Sequence, residues 1–191
     1  DDYNQYWCHV SKKKNEVIQN LEAQRKSIGL AVDSINACMK YIFFADDRLK
    51  IEYQDEKYKL LSHGNNVKPC DVSVGERNII GLSYFFTSIL EGQEEAKAYG
   101  NEYLLVIDDP VSSYDLESKI GILSFLKYKL SLFLEGSADT KALVMTHDLM
   151  TFYDVHKIFE EIVSACKKKN YPNDPKFNRF EMRDCCLTTF S

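Results

Sequence analysis

Two short apolar segments separated by a long amphipathic one constrain the fold of this chain more than any other feature. Residues 103–107 (Tyr-Leu-Leu-Val-Ile) form one uninterrupted apolar run, and residues 142–145 (Ala-Leu-Val-Met) form another. Apolar runs of this length and composition are typical of buried parallel strands. Residues 116–134 lie between them and have apolar side chains at helical spacing. The order strand, helix, strand predicts a parallel crossover, and therefore an α/β fold with a largely parallel sheet and flanking helices. The predicted buried side of the helix comprises Ile120, Leu123, Leu126, Leu130 and Phe133.

Polar residues follow both predicted strands. Asp108 and Asp109 end the first, and Thr146 and His147 end the second. Because ligands of open α/β sheets bind at the carboxyl ends of strands, we expect two acids and a histidine to share one crevice. An acid there is costly unless it is hydrogen-bonded or binds a cation, so the pair suggests one metal ligand and one base. The alternative is a solvated turn, for which Asp-Asp-Pro is well suited.

A second candidate site precedes a predicted helix at residues 74–91. Ser73 and Glu76 have the spacing of a capping box, and the residues that follow are apolar at helical spacing. One interpretation is an ordinary helix cap with a glycine, Gly75, in the first turn. The other is a helix N-terminus whose free N–H groups and serine hydroxyl bind a phosphate.

The first third of the chain is predicted to be helical. Its apolar residues alternate in steps of three and four, as in a heptad seam. One interpretation is a single long helix on a globular core, and the other is the root of a coiled coil whose partner helix lies upstream. Two short antiparallel strands are predicted between residues 49 and 61. The seam comprises Ile18, Leu21, Ile28, Val32, Ile35, Met39 and Ile42.

Composition excludes several classes of protein. With 191 residues, 45% of them hydrophobic, the chain suffices for one ordinary domain, and its net charge of −5 disfavours a strongly basic nucleic-acid-binding domain. No apolar run approaches the roughly 20 residues of a membrane span, and the N-terminus does not resemble a signal peptide. Six cysteines without Cys-x-x-Cys spacing predict reduced thiols in a cytoplasmic protein. Because the chain lacks an initiator Met, we interpret it as a piece of a longer protein or a processed product.

Four motifs follow one another between residues 72 and 148. They are Val-Ser-Val-Gly-Glu at 72–76, Leu-Leu-Val-Ile-Asp-Asp at 104–109, Ser-Ser-Tyr-Asp at 112–115, and Thr-His at 146–147. In this order they resemble the signature motif, Walker B strand, D-loop and histidine switch of ABC-class ATPases. The form Asp-Asp-Pro-Val-Ser-Ser-x-Asp is most similar to SMC/RecF-like, coiled-coil-bearing ATPases of bacterial defence, including those of anticodon-nuclease type.

The resemblance implies a P-loop NTPase fold of the ABC type, of which this chain is the C-terminal lobe. Residues 1–46 would form a helical arm, the root of a coiled coil, and residues 47–191 the lobe. ATP and Mg²⁺ are the implied cofactors, and a second copy of the head is the implied partner. DNA, RNA or an effector protein is a further expected partner, and no membrane is expected.

The resemblance also implies a role for each matched residue. Asp108 would hold Mg²⁺, Asp109 would orient or deprotonate the attacking water, and His147 would contact the γ-phosphate. In trans, Ser73, Gly75 and Glu76 would cap the nucleotide of the second copy. The residues that would link the two sites across the interface are Ser112, Ser113 and Asp115.

Two departures from the family pattern affect the expected activity. Asp109 stands where most ABC ATPases have Glu, so its reach to the water is shorter and turnover would be slow. No Gly-x-x-x-x-Gly-Lys-Ser/Thr loop occurs in the chain, so the phosphate-binding loop would lie in a missing N-terminal lobe and the fragment alone would be inactive. Two alternatives remain: a slow nucleotide-sensing module that holds an attached effector such as a nuclease inactive, and an interaction domain without activity.

Overall fold

The computed structural model describes residues 2–111, 116–168 and 175–190. It does not describe the side chains of residues 2–12, 15, 17, 21–26, 95, 96 and 183. The chain divides into two compact units, Asp1–Gly92 and Gln93–Ser191. The predicted boundary between arm and lobe, after residue 46, falls inside the first unit and stays a prediction.

The first unit consists of two helices and an antiparallel sheet. Helix α1 (Asp2–Phe43) and helix α2 (Val74–Ile89) pack together. The sheet has the order β1-β2-β3, with β1 (Lys50–Gln54), β2 (Lys57–Ser62) and β3 (Asn65–Val67). The predicted antiparallel strands and the predicted helix at 74–91 are therefore confirmed.

The C-terminal part of α1 supplies much of the core of this unit. Val32, Ile35, Met39 and Ile42 of the heptad seam are buried, whereas Ile18 is 42% exposed. Helix α2 contributes buried side chains to the same unit, among them Ile79 and Phe86. The seam therefore packs as a globular core from residue 32 onward, and the coiled-coil interpretation stays a prediction for the residues before it.

Asn36 fixes α1 to the outer edge of the sheet. Its side-chain amide donates to the carbonyl oxygen of Ile51 at 2.8 Å, and its carbonyl oxygen accepts from the N–H of Ile51 at 2.8 Å. One side chain thus satisfies the backbone donor and acceptor that an edge strand leaves unpaired.

The second unit contains the predicted crossover. After the short helix α3 (Glu95–Ala98), strand β4 (Leu104–Asp108) leads through helix α4 (Leu116–Gly136) to strand β5 (Lys141–Met145), and β4 and β5 pair in parallel. Helix α5 (Leu149–Lys168) and an antiparallel hairpin, β6 (Phe180–Arg183) with β7 (Cys186–Thr189), follow.

Two predictions about this unit need correction. A largely parallel sheet is predicted, but in the described residues the parallel sheet has two strands, and the other two sheets are antiparallel. The buried side of α4 is also rotated from the predicted one, because Ile120 is 55% exposed while Ile122 and Phe125 are buried. Leu126, Leu130 and Phe133 are buried as predicted. In α4 apolar residues occur on nearly every side, so spacing alone does not identify the face that packs.

Aromatic side chains anchor both ends of this unit's chain. The ring of Phe133 on α4 contacts the rings of Tyr99 and Tyr103 edge-on, at centroid distances of 4.8 and 5.1 Å. Phe190, after β7, packs against Phe152 of α5 at 4.6 Å. Among the described residues, no helix combines the length and apolar character needed to cross a membrane.

Candidate functional site

The carboxyl ends of β4 and β5 lie side by side. Asp108 is paired with Met145 in the parallel register, and the N–H of Asp109 donates to the carbonyl oxygen of Met145 at 2.8 Å. This hydrogen bond continues the ladder one residue beyond β4. The residues that follow the two strands, Asp109 on one and Thr146 on the other, therefore start from neighbouring backbone positions.

Asp109 has a left-handed backbone conformation, with φ of 46°. Only Gly adopts this region freely, although Asp and Asn tolerate it better than other residues. The next residue is the buried Pro110, and a residue before proline is normally extended. Unfavourable backbone conformations of this kind persist where the surrounding contacts impose them, and they cluster at functional sites.

The side chains of Asp109, Thr146 and His147 form a cluster, called here the strand-end cluster. Thr146 Oγ1 donates to Asp109 Oδ1 at 3.0 Å, and His147 Nδ1 lies 3.0 Å from Asp109 Oδ2. The imidazole is 80% exposed and the Asp109 side chain 26% exposed. The Asp109 carboxylate, held on both oxygens, can accept a proton from a bound water. The exposed imidazole beside it can donate a hydrogen bond from nitrogen to an anion.

Asp148 joins this cluster to the start of α5. Its N–H donates to Thr146 Oγ1 at 3.2 Å, and its Oδ2 accepts from the N–H and the Oγ1 of Thr151 at 2.8 and 2.6 Å. The hydroxyl hydrogen bond from Thr151 is the main reason why the pKa of Asp148 lies below its ordinary value. Asp148 thus caps α5 and fixes the backbone on both sides of His147.

Asp108 stands at the last position of β4, on the exposed face of the sheet. Its carboxylate is a hard oxygen donor, and Mg²⁺ commonly takes one or two carboxylates together with waters and substrate phosphates. No group of three or more potential metal-binding side chains occurs among the described residues. The donor chemistry of Asp108 fits a cation that arrives with a nucleotide and brings other oxygen ligands with it.

Residues 72–76, which are predicted to be a signature motif and are called here the signature segment, include a complete capping box at the start of α2. The N–H and Oγ of Ser73 donate to Glu76 Oε2, each at 2.9 Å, and the N–H of Glu76 donates to Ser73 Oγ at 3.1 Å. Ser73 and Val74 are exposed, whereas Gly75 is buried in the first turn. The helix start is therefore accessible, and its serine takes part in an ordinary cap.

Arg48 supports the signature glutamate from the segment after α1. Its Nε lies 3.9 Å from Glu76 Oε1, and its guanidinium lies over the ring of Phe43, 4.8 Å from the centroid. A cation that stacks on an aromatic ring while reaching a carboxylate is a geometry that suits Arg better than Lys. The end of α1 is thus joined to the signature segment within one unit.

The structure brings together some of the predicted site residues. Asp109 and His147 are in direct contact, Asp108 lies at the same strand end, and Ser73 and Glu76 are in contact at the start of α2. Ser112, Ser113 and Asp115 lie outside the described residues. The sequence patterns predict no role for Thr146 or Arg48. For Thr146 the available signal was its place beside His147 at the end of a predicted strand.

The sequence profile of the AAA domain family matches residues 8–185, which is most of the chain. The chain belongs to the AAA domain family. The predicted resemblance to an ATPase head is thereby confirmed.

Individual proteins that are similar to this chain share a low sequence identity with it. Two curated Staphylococcus aureus sequences, one of them from strain MRSA252, are each described as an uncharacterized chromosomal cassette SCCmec type IVc protein. Both are 27% identical over 110 residues, or 56% of this chain, which spans 15% of their length. A solved SMC head domain from Thermotoga maritima is similar to this chain with a TM-score of 0.45 and 16% sequence identity. The match covers 84% of this chain and 47% of the chain of that structure.

Proposed function

We propose that this chain is the C-terminal lobe of an ABC-class ATPase head of the SMC/RecF-like type. The intact protein would bind ATP with Mg²⁺, dimerise through its heads and hydrolyse the nucleotide. The observation that carries the proposal is the contact of Asp109 with both Thr146 and His147 at the ends of two parallel strands. Family membership supports nucleotide binding in general, and the particular roles below are proposals.

The strand-end cluster would carry out hydrolysis. Asp109 would accept a proton from the attacking water while the water oxygen bonds to the γ-phosphorus and the bond to ADP breaks. His147, with its exposed imidazole, would donate to a γ-phosphate oxygen. Asp108 would hold Mg²⁺, which when bound neutralises charge on the phosphate oxygens.

The start of α2 would complete the site of a second copy. Ser73, Gly75 and Glu76 would face its nucleotide, with the helix N-terminus directed at the γ-phosphate. The exposure of Ser73 and Val74 supports this role, because a capped helix start must be accessible to reach a partner. Ser112, Ser113 and Asp115 would link the two sites.

The uncovered face of the parallel sheet supports a missing N-terminal lobe. Leu104 and Val106 of β4 and Leu143 and Met145 of β5 share that face and are exposed. Parallel sheets are normally covered on both faces, so we propose that a lobe with the phosphate-binding loop packs here. Residues 1–46 would then be an arm leading into a coiled coil, in a cytoplasmic protein of bacterial defence or DNA or RNA processing.

Two substitutions test the ATPase assignment in the intact protein. Asp109→Asn keeps the size and most hydrogen-bonding capacity of the side chain but cannot accept the proton, and His147→Ala removes the imidazole. We expect each to lower steady-state ATP hydrolysis at least about 100-fold. Tyr84→Phe, an exposed position on α2, serves as a control that should leave turnover unchanged. Unchanged turnover in both site variants would refute the assignment.

A slow nucleotide sensor is the second candidate function. Both oxygens of Asp109 are engaged by neighbouring side chains, and the residue is one methylene shorter than the usual Glu, which favours slow hydrolysis. In that case a long-lived nucleotide-bound dimer would keep an attached effector silent. Fast turnover, with a dimer that dissociates after hydrolysis, supports the motor, and slow turnover with a long-lived nucleotide-bound dimer supports the sensor.

A further inference from the structure

Two threonine hydroxyls bracket β5 and join it to β4 at opposite ends. Before β5, the buried Thr140 donates to the carbonyl oxygen of Asn101 at 3.1 Å and accepts from the N–H of Tyr103 at 3.2 Å. After β5, Thr146 donates to Asp109 Oδ1 at 3.0 Å and accepts from the N–H of Asp148 at 3.2 Å. The first hydroxyl contacts backbone only, whereas the second contacts the carboxylate proposed to activate water.

The direction of the Thr146 hydroxyl is determined by its neighbours. The Asp148 N–H can only donate, so Thr146 Oγ1 must accept there, and its own hydrogen is left for the Asp109 carboxylate. Asp148 is itself held by Thr151 at the start of α5. Asp109 Oδ1 is therefore tied, through one hydroxyl, to a capped helix N-terminus.

His147 holds the other carboxylate oxygen, but its position is less constrained. The imidazole is 80% exposed, and in the proposed function it contacts the γ-phosphate. Thr146 Oγ1, in contrast, is held by the Asp148 N–H on one side and by Asp109 Oδ1 on the other.

We propose that Thr146 is a positioning residue, whose hydrogen bond to Oδ1 fixes the rotation of the Asp109 carboxylate that would activate water. The inference deepens the proposed function and rests on it. A hydroxyl is required at this position, and a methyl group of the same shape does not replace it.

A matched set of variants in the intact protein tests the proposal. Thr146→Val keeps the β-branched shape and removes the hydroxyl, Thr146→Ser keeps the hydroxyl, and Thr140→Val removes the equivalent hydroxyl at the other end of β5. We expect Thr146→Val to lower kcat about 10- to 100-fold with KM for ATP changed less than about threefold. Thr146→Ser should recover most of kcat. Thr140→Val should lower the Tm and leave kcat within about twofold.

A double variant separates this proposal from the ATPase assignment on which it rests. Because Thr146 acts through Asp109, adding Thr146→Val to Asp109→Asn should cause less than about a twofold further loss. If Asp109→Asn is inactive and Thr146→Val has wild-type kcat, the positioning role is refuted and the ATPase assignment stands. Equal losses in Thr146→Val and Thr146→Ser also refute it. A wild-type protein that hydrolyses no ATP would overturn both proposals.

Discussion

At Asp109, local preference and observed conformation disagree. Its left-handed backbone before Pro110 costs of order 1–3 kcal/mol relative to an ordinary turn. The hydrogen bonds of its N–H to Met145 and of its carboxylate to Thr146 and His147 oppose that cost. The conformation lifts the carboxylate out of the strand direction and toward the end of β5.

Asp148 gives the cap of α5 a dependence on pH. Its pKa is lowered from its ordinary value of 3.8, mainly by the hydroxyl of Thr151, so its ionised form is more favourable in the folded state. The stabilisation is complete above that value and is lost as the pH falls through the lower folded pKa. We expect Asp148→Asn to lower the Tm near pH 7, by an amount that shrinks steadily below about pH 4. Thermal unfolding followed by circular dichroism measures this.

Thr151→Val is the matching variant, because it removes the hydroxyl that lowers the pKa and leaves the carboxylate in place. It should reduce the loss of stability on acidification, because the folded-state pKa of Asp148 would then lie nearer its ordinary value. A difference in Tm between wild type and Asp148→Asn that does not change with pH would contradict this account of the cap.

At the scale of elements, α2 has one N-terminus and two possible uses. The atoms that cap the helix, Ser73 Oγ and the first N–H groups, are the same atoms that would face a phosphate. Sequence spacing cannot separate the two roles, since the capping box satisfies both. Only a change that keeps the cap and alters the charge distinguishes them.

Ser73→Asp is such a change. Aspartate keeps the acceptor that caps the helix and is favourable near its dipole, but it cannot donate to Glu76 Oε2 as the Ser73 hydroxyl does, so we expect the Tm to fall by a few degrees. Its charge would repel the γ-phosphate of a second copy, so ATP-dependent dimerisation should weaken at least about 10-fold. Analytical ultracentrifugation with and without ATP checks this. Ser73→Thr should cap the helix and dimerise normally, and a fully competent Ser73→Asp dimer would leave the cap as the sole role of this segment.

The elements themselves could largely be predicted from the sequence, but not how they pack. Helical spacing and the capping box place α2 correctly, and the apolar runs place β4 and β5. The face of α4 and the extent of the α1 seam depend on which neighbours are present, as the burial of Val32 and the exposure of Ile18 on the same seam illustrate. Periodicity predicts an apolar stripe on a helix, but it does not predict how much of that stripe is covered by neighbouring elements.

At the scale of the whole molecule, the sheet topology determines which residues of the site lie close together, and side-chain hydrogen bonds determine how they contact one another. Parallel pairing of β4 and β5 requires Asp109 and His147 to end up near one another, and this could be predicted from strand order. The bridging role of Thr146 could not, because it depends on a hydroxyl direction set by the Asp148 N–H. In the described residues the parallel sheet consists of β4 and β5, the two segments that carry the buried parallel-strand pattern.

Mixing two inactive variants of the intact protein tests most directly whether one copy supplies Asp109 and the other Ser73. In a mixed dimer of Ser73→Asp and Asp109→Asn subunits, one composite site has both native residues and the other has neither. At protein concentrations that saturate dimerisation, random pairing of equal amounts should therefore restore ATP hydrolysis to about one quarter of the wild-type rate. A mixture that stays as inactive as its components, although mixed dimers form, would contradict the account.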